Sequence, residues 1–368
     1  MSSYVIPVYQ PMLVGNERLY VSECLDTNWI SSKGKFVSRF EEDFAGYLDV
    51  GYATSVSNGT VALHLALQTL GIGPGDEVIV PTLTYIASVN AIAYVGATPV
   101  FVDADPVTWN MDVALINHKI TTRTKAIMAV HLYGSVCAMD ELQVLCKRHK
   151  LLLIEDVAES FGSQYRERYA GSFGDVATFS FFGNKTITTG EGGMVVSNHQ
   201  AIISRAAYLK SQAVSSTREY WHDEIGFNFR MTNICAAIGV AQLEQADTVI
   251  EAKRTLAVWY QEELSGLPLT FQFEPADTLH TYWMVSVLAP DVAMRDSIRQ
   301  ALKDAGVETR PLFFPAHTMP AFASNEAYPI AEDLSARGIN LPSFPALTRE
   351  QVRFVCIVIK RTLQARKE

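Results

Sequence analysis

Residues 179–193, FSFFGNKTITTGEGG, decide how the rest of the chain is interpreted. Lys185 lies here, after an apolar run that favours a strand and before a turn rich in glycine. Lysine amines attack carbonyl compounds to give imines, and enzymes hold pyridoxal phosphate (PLP) in this way. The alternative is an ordinary surface lysine beyond a strand. The apolar and small neighbours, with Ser180 five residues earlier, favour the reactive lysine.

Length and composition describe a well-packed globular protein. A chain of 368 residues exceeds one ordinary core, which predicts two domains. Its residues are 48% hydrophobic and 19% charged, so disordered and fibrous classes are excluded. The net charge of −9 argues against nucleic acid or an anionic membrane as the main partner, but leaves an anionic small molecule open.

Targeting signals and metal motifs are not predicted. The sequence has no apolar run of about 18 residues, the length that a membrane span needs. The N-terminal residues MSSYVIPVYQPM contain neither a basic region nor a sustained apolar core, so no signal peptide is expected. Five scattered cysteines form no CxxC pair, which indicates reduced thiols, a cytoplasmic location and no zinc site.

Short apolar runs alternate with helical patterns between residues 37 and 197. The predicted strands are 52–56, 77–80, 98–102, 125–131, 151–154, 176–181 and 194–197. Predicted helices cover 37–48, 84–95 and 140–150, and another opens at residues 57–60. This order predicts an α/β fold in which helices cover both faces of a mostly parallel mixed sheet.

The pattern changes near residue 246. A long helix at 247–264 is followed by predicted strands 269–273, 282–288 and 307–310 and helices 294–305 and 349–364. We therefore predict a large domain at residues 1–245. A connector helix and a small α+β domain are predicted at residues 246–368.

Asp156 ends the predicted strand that begins at Leu151. Ligands of open α/β sheets lie beyond the carboxyl ends of the strands. A carboxylate there keeps a pyridine nitrogen protonated, which makes the PLP ring an electron sink. A helix cap or loop acid is the alternative, and the presence of Lys185 favours the cofactor role. Glu159 is predicted to contact the hydroxyl side of the ring.

The segment Ser57-Asn58-Gly59-Thr60 follows a strand and opens a helix. A phosphate dianion binds backbone N–H groups at a helix start, and hydroxyl groups add to such a site. Gly59 permits close approach and Thr60 offers an amide, while Ser180 supplies a hydroxyl. An ordinary capped helix remains the alternative.

Two rings near these segments are weaker candidates. Tyr85 is placed to stack on the cofactor ring, although such aromatic residues are as often core. His131 follows a buried strand, and a satisfied core or near-site histidine is favoured over a proton shuttle.

Several continuous motifs carry a family resemblance. They are SNGTVALHLAL (57–67), PTLTYIAS (81–88), IEDVAES (154–160), GDVATFSFFGNK (174–185), TTGEGGMV (188–195), FNFRMTNICAAIGVAQLE (227–244) and GINLPSFP (338–345). With these motifs the chain resembles the fold-type-I PLP enzymes of the aspartate aminotransferase superfamily. Within that superfamily it looks like the nucleotide-sugar aminotransferases of bacterial surface-polysaccharide pathways.

The resemblance implies transfer of an amino group from L-glutamate to the C4 ketone of GDP-4-keto-6-deoxymannose, giving GDP-perosamine. By the family pattern Lys185 forms the imine with PLP and moves the proton, Asp156 holds the pyridinium and Tyr85 stacks. Asn228 matches a position that reaches the phosphate from the neighbouring subunit. This implies a homodimer with shared active sites, and a tetramer stays open.

Four residues are predicted to bind the sugar nucleotide. They are Arg230, Arg310, His317 and Arg337. A guanidinium fork meets two pyrophosphate oxygens at once. The arginines could equally be exposed helix-end or strand-edge charges.

Other functions stay open at this point. Relatives of the resembled family act on dTDP- or UDP-linked ketosugars. A dehydratase branch carries histidine where the imine-forming lysine stands, so Lys185 favours amine transfer. A non-catalytic scaffold is the third alternative.

Overall fold

A computed structural model describes residues 5–365. Its α-helices are α1 Glu17–Asp26, α2 Lys35–Leu48, α3 Gly59–Thr69, α4 Ile86–Tyr94, α5 Val113–Ile116, α6 Met139–His149, α7 Gln200–Leu209, α8 Asn233–Leu243, α9 Ala246–Glu263, α10 Val292–Asp304, α11 Pro329–Arg337 and α12 Arg349–Ala365. Its strands are β1 Tyr52–Val56, β2 Glu77–Pro81, β3 Thr98–Val102, β4 Thr124–Val130, β5 Leu152–Asp156, β6 Gln164–Tyr165, β7 Arg168–Tyr169, β8 Val176–Ser180, β9 Gly193–Ser197, β10 Thr270–Phe271, β11 Thr278–Leu279, β12 Val285–Leu288, β13 Arg310–Pro311 and β14 Gly338–Leu341.

The large sheet has seven strands in the order β1-β9-β8-β5-β4-β2-β3. Neighbours from β8 to β3 pair in parallel, whereas β9 is antiparallel to both β1 and β8. These strands are mostly buried, as expected when helices cover both faces. The predicted α/β class with a mostly parallel mixed sheet is therefore confirmed.

Strand β5 has a fixed register against both of its neighbours. Asp156 pairs with Val130 of β4 and with Thr178 of β8. Because β4, β5 and β8 are parallel, their carboxyl ends lie at one edge of the sheet. Asp156 is the last residue of its strand, and Ser180 is the last residue of β8.

A second, antiparallel sheet forms from the C-terminal part of the chain. Its strand order is β10-β12-β14-β13. Helices α9, α10 and α12 pack with it around a separate hydrophobic cluster. The boundary between residues 245 and 246 stays a prediction. Residues 1–4 and 366–368 of the two predicted domains lie outside the described residues.

Several predicted elements differ from the structure. The predicted strand 307–310 is wrong in its bounds, because β13 is Arg310–Pro311 and Val307 instead forms an isolated bridge with Ile6. The predicted helix 84–95 begins only at Ile86, since Tyr85 is extended. The sequence pattern does not predict helices α1, α5, α7, α8 and α11. In α8 most residues are buried, so the amphipathic pattern that marks a helix is absent.

Among the described residues, none of the helices combines the length and apolarity needed to span a bilayer.

Helix α2 packs on the large sheet through a cluster of phenylalanines. The ring centroid of Phe44 lies 4.9 Å from that of Phe179 and 5.4 Å from that of Phe181. Phe40 and Phe161 complete the cluster at 5.8 Å and 5.7 Å from Phe44. Because Phe179 and Phe181 belong to segment 179–193, this packing connects the start of that segment to α2.

We expect Phe44→Ala to lower the free energy of unfolding by about 3–5 kcal/mol, because the cavity that it leaves is enclosed by other rings. Phe354→Ala is the matched control, since Phe354 is 44% exposed. Urea unfolding followed by circular dichroism measures both variants. Equal stability of the two variants would contradict the role given to the cluster.

Candidate active site

A cavity of about 600 Å³ opens at the carboxyl ends of β5 and β8 and the start of α3. It brings together eight of the residues predicted from the sequence. They are Asn58, Gly59, Thr60, Tyr85, Asp156, Glu159, Ser180 and Lys185. These residues come from distant parts of the chain, so the parallel sheet is what collects them.

The start of α3 lies against the end of β8. Asn58 caps the helix by accepting a hydrogen bond from Val61 N at 3.0 Å. A Cβ on Gly59 would lie 2.6 Å from the Ser180 Cβ, which is closer than such atoms approach. Only glycine therefore lets the first N–H groups of the helix and the Ser180 hydroxyl face one site.

Asp156 is 4% exposed and carries two hydrogen bonds. Its Oδ2 accepts from Ser88 Oγ at 2.7 Å and its Oδ1 from Ala158 N at 3.1 Å. Burial raises the pKa of Asp156, while the Ser88 bond and the charge of Lys185 oppose the rise. A cationic group beside this carboxyl would favour its ionised form.

The Glu159 side chain is bound by a residue that has an unusual backbone conformation. Its Oε2 accepts from Tyr133 N at 2.9 Å, and Tyr133 has a φ of 57°. A tyrosine in the left-handed backbone region is rare and is maintained only where surrounding contacts fix it. Burial raises the pKa of Glu159 to about 7, against the opposing charge of Lys185. Proximity to Asp156 adds to the rise.

Lys185 lies in a bend beyond β8, where its N–H donates to Phe182 O at 2.9 Å. Burial lowers the pKa of the Lys185 amine, while Glu159 and Asp156 oppose the change. A lowered pKa increases the fraction of free amine, which is the nucleophilic form. Its Nζ lies 4.0 Å from the ring centroid of Trp283.

The cavity is also lined by Ser88, Trp283 and Phe313, for which the sequence alone predicts no role in the site. Ser88 was predicted only as part of a helix, and Trp283 only as part of a strand. Their roles depend on contacts between distant segments, for which local periodicity has no signal.

His131 is a buried histidine beside the site rather than part of the cavity lining. Its Nδ1 accepts from Cys137 N at 3.2 Å, so that nitrogen carries a lone pair. Its Nε2 therefore carries the proton and donates to Glu155 Oε2 at 3.1 Å. Both nitrogens are satisfied, as in a core histidine.

Glu155 fixes the loop that precedes β8. Its Oε1 accepts from Phe173 N at 2.8 Å and from Gly174 N at 2.6 Å. Its Oε2 accepts from Gly171 N at 2.8 Å as well as from His131. Asp156 and Glu155 therefore serve opposite faces of the same strand.

Two predicted cofactor residues lie away from the cavity lining of their own chain. Ser57 donates its N–H to Phe229 O at 2.8 Å. Asn228 is exposed, and its Oδ1 accepts from Arg230 Nη2 at 2.9 Å.

The four predicted nucleotide-binding residues also lie outside that lining. Arg230 bonds to Asn228, and Arg310 pairs with Glu308 at 2.7 Å. Arg337 pairs with Asp333 and donates to Ala289 O at 2.9 Å.

His317 is buried, and its Nδ1 lies 2.7 Å from Thr82 Oγ1. Its Nε2 lies 3.2 Å from Glu332. In the described part of the chain no cluster of histidine, cysteine, aspartate or glutamate is suited to hold a metal ion.

Known proteins are similar in sequence to nearly the whole of this chain. A sequence profile of the DegT/DnrJ/EryC1/StrS aminotransferase family matches residues 11–360. The GDP-perosamine synthase of Escherichia coli O157:H7 is 58% identical over 352 residues, which cover 95% of this chain and 96% of that protein. The GDP-perosamine synthase of Vibrio cholerae is 51% identical, with 97% and 98% covered.

A solved structure is similar to this chain in its fold as well. A candidate sugar aminotransferase of Streptococcus pneumoniae, in its PLP-form, superposes with a TM-score of 0.93 at 27% identity. The match covers 98% of this chain and 99% of that one. The chain belongs to the DegT/DnrJ/EryC1/StrS aminotransferase family.

Proposed function

We propose that this protein uses PLP to transfer an amino group from L-glutamate to the C4 ketone of GDP-4-keto-6-deoxymannose. The products are GDP-perosamine, a precursor of surface polysaccharide, and 2-oxoglutarate. One observation carries the proposal: the Lys185 amine shares a cavity with the Asp156 carboxyl and the start of α3. Similarity to two GDP-perosamine synthases supports the choice of sugar nucleotide.

The chemistry of the cavity fits PLP. Burial raises the pKa of both Asp156 and Glu159, so a nearby cation would stabilise their ionised forms. The protonated pyridine nitrogen of PLP would be such a cation for Asp156. The start of α3 and Ser180 suit the phosphate. Asn184 Oδ1 is buried in the lining and has no hydrogen-bond partner within the described chain, so it is available to a ligand.

Each residue has a defined task in this proposal. When bound, PLP supplies an electron sink for breaking bonds at the amine-bearing carbon. Lys185 would hold the cofactor through its aldehyde, and the lysine amine would take and return the proton during the transfer. Asp156 keeps the pyridine nitrogen protonated, and Ser88 orients Asp156. Glu159 would contact the ring hydroxyl. Tyr85, which is 56% exposed, would cover the ring face.

The remaining predicted residues stay proposals based on the resemblance. Asn228, exposed and outside its own cavity, is proposed to reach the phosphate in a neighbouring subunit of a homodimer or tetramer. Ser57 is proposed to support the phosphate loop. The proposed nucleotide contacts are Arg230, Arg310, His317 and Arg337. Five unpaired cysteines support a cytoplasmic location.

The main competing substrate class is a dTDP- or UDP-linked ketosugar. A PLP-dependent sugar dehydratase is the second alternative, and Lys185 weighs against it because the resembled dehydratases carry histidine there.

The substrate is tested by incubating the protein with PLP, L-glutamate and a panel of GDP-, dTDP- and UDP-linked 4-ketosugars. We expect mass spectrometry to detect replacement of the ketone oxygen by an amine in the GDP-linked sugar only. Lys185→Ala removes this activity, whereas Lys147→Ala, on exposed α6 surface, keeps it. Amination of a dTDP or UDP sugar in preference, or sugar dehydration without glutamate, would contradict the proposal.

We expect Gly59→Ala to weaken PLP binding at least tenfold, because the new methyl group meets Ser180 Cβ at 2.6 Å and separates the helix start from the hydroxyl. Gly46→Ala in α2 is the control, since a Cβ there meets nothing within 4 Å. Equilibrium titration of the cofactor-free proteins with PLP measures both. Unchanged affinity in Gly59→Ala would show that the phosphate binds elsewhere.

Shared sites are tested by complementation between two inactive subunits. If Asn228 serves the neighbouring site, a tag-purified heterodimer of Lys185→Ala and Asn228→Ala subunits has one intact site. We then expect about half of the wild-type activity, although each homodimer is impaired. No recovery in the heterodimer would mean that Lys185 and Asn228 act within one chain.

A further inference from the structure

The peptide unit that carries Lys185 is bound from two distant segments. Trp283 Nε1 donates to the carbonyl oxygen of Asn184 at 2.6 Å. The Tyr9 hydroxyl donates to the carbonyl oxygen of Lys185 at 2.5 Å. Lys185 lies beyond the end of β8, so these carbonyls have no partner in the large sheet. The two side chains take the place of the ladder bonds that fix a strand residue.

Trp283 also contacts the reactive end of the lysine. The Lys185 Nζ lies over the indole ring, 4.0 Å from its centroid. The negative face of an indole attracts a cation at this distance. Trp283 is 4% exposed and stacks on Tyr133 at an angle of 10°. A single residue thus holds both the backbone before Lys185 and the amine itself.

A buried lysine in turn holds Trp283. Lys253 of α9 donates from Nζ to the Trp283 carbonyl at 3.1 Å and to the Ser343 carbonyl at 2.6 Å. The same Nζ lies 5.1 Å from the ring centroid of Tyr9. Burial lowers the pKa of Lys253 to about 7. The contacts of Lys253 thus connect the two side chains that bind the Lys185 backbone.

We propose that Tyr9 and Trp283 are positioning residues that fix Lys185 for proton transfer, and that Lys253 holds them in place. This inference rests on the proposed function. A lysine side chain has four rotatable bonds and loses much freedom when it is confined. Proton transfer between two fixed carbons requires a defined position of Nζ. Two hydrogen bonds anchor the backbone at the carbonyls of residues 184 and 185, and the indole covers Nζ. Together these contacts restrict the positions that Nζ can take.

The test compares Tyr9→Phe and Trp283→Phe with Tyr260→Phe. Tyr260 is a matched control, because its buried hydroxyl also donates to a backbone carbonyl, that of Pro342 at 3.1 Å, away from the cavity. For Tyr9→Phe and Trp283→Phe we expect kcat to fall about tenfold or more, with the KM of the sugar nucleotide within about twofold. Tyr260→Phe keeps the wild-type kcat.

A second measurement does not depend on activity. Competitive acetylation of the cofactor-free proteins across a pH series, read by peptide mass spectrometry, gives the pKa of the Lys185 amine. The indole face stabilises the charged form, so Trp283→Phe lowers this pKa and Tyr260→Phe does not. A pKa unchanged in Trp283→Phe, or kcat values equal to those of Tyr260→Phe, would overturn the proposal. Failure of the wild-type protein to bind PLP at Lys185 would instead overturn the proposed function.

Discussion

The site depends on placing one amine and two carboxyl groups in a cavity shielded from bulk water. Burial raises the pKa of the two carboxyl groups and lowers that of the amine, so each neutral form is favoured. The opposite charges nearby reduce these shifts. Such an arrangement costs free energy unless every group has partners. Ser88, Ala158 and Tyr133 supply them to the carboxyl groups. The surrounding fold is therefore required to deliver hydrogen-bond donors as well as space.

The parallel sheet explains why these groups meet, but it does not by itself fix Lys185. Asp156 and Ser180 are strand ends, so ladder bonds determine where they lie. Lys185 lies five residues beyond Ser180, where Tyr9 and Trp283 donate hydrogen bonds to the backbone carbonyls of residues 185 and 184. The sheet thus fixes Asp156 and Ser180, whereas tertiary contacts fix the backbone at Lys185.

Sequence reasoning predicted the features that depend on local pattern. The seven strands of the large sheet were found because buried strands read as continuous apolar runs, and Asp156 was found because it ends one. Helix α8 was missed because it is buried almost all round. Trp283 was missed as a site residue because only folding brings residue 283 beside residue 185. Its sequence neighbourhood shows a strand and nothing more.

The contact between Asn228 and Arg230 illustrates a related limit. Both residues lie outside the cavity lining of their own chain, and their proposed targets belong to another subunit or to a substrate. Local pattern identifies such residues only through their resemblance to known motifs. The geometry of one chain then shows only the contacts of these residues within that chain.

Strand β5 carries two adjacent carboxylates, Glu155 and Asp156, which point to opposite faces of the sheet and have different roles. Glu155 organises the loop at residues 171–174, and Asp156 enters the cavity. Sliding β5 by one position against β4 and β8 would exchange these faces, because side chains alternate along a strand. The loop would lose its anchor at the same moment as the cavity lost its acid. A chain with this shift in register would therefore lose folding stability together with the cavity carboxylate. The register of β5 is thus favoured by stability and is also required for the site.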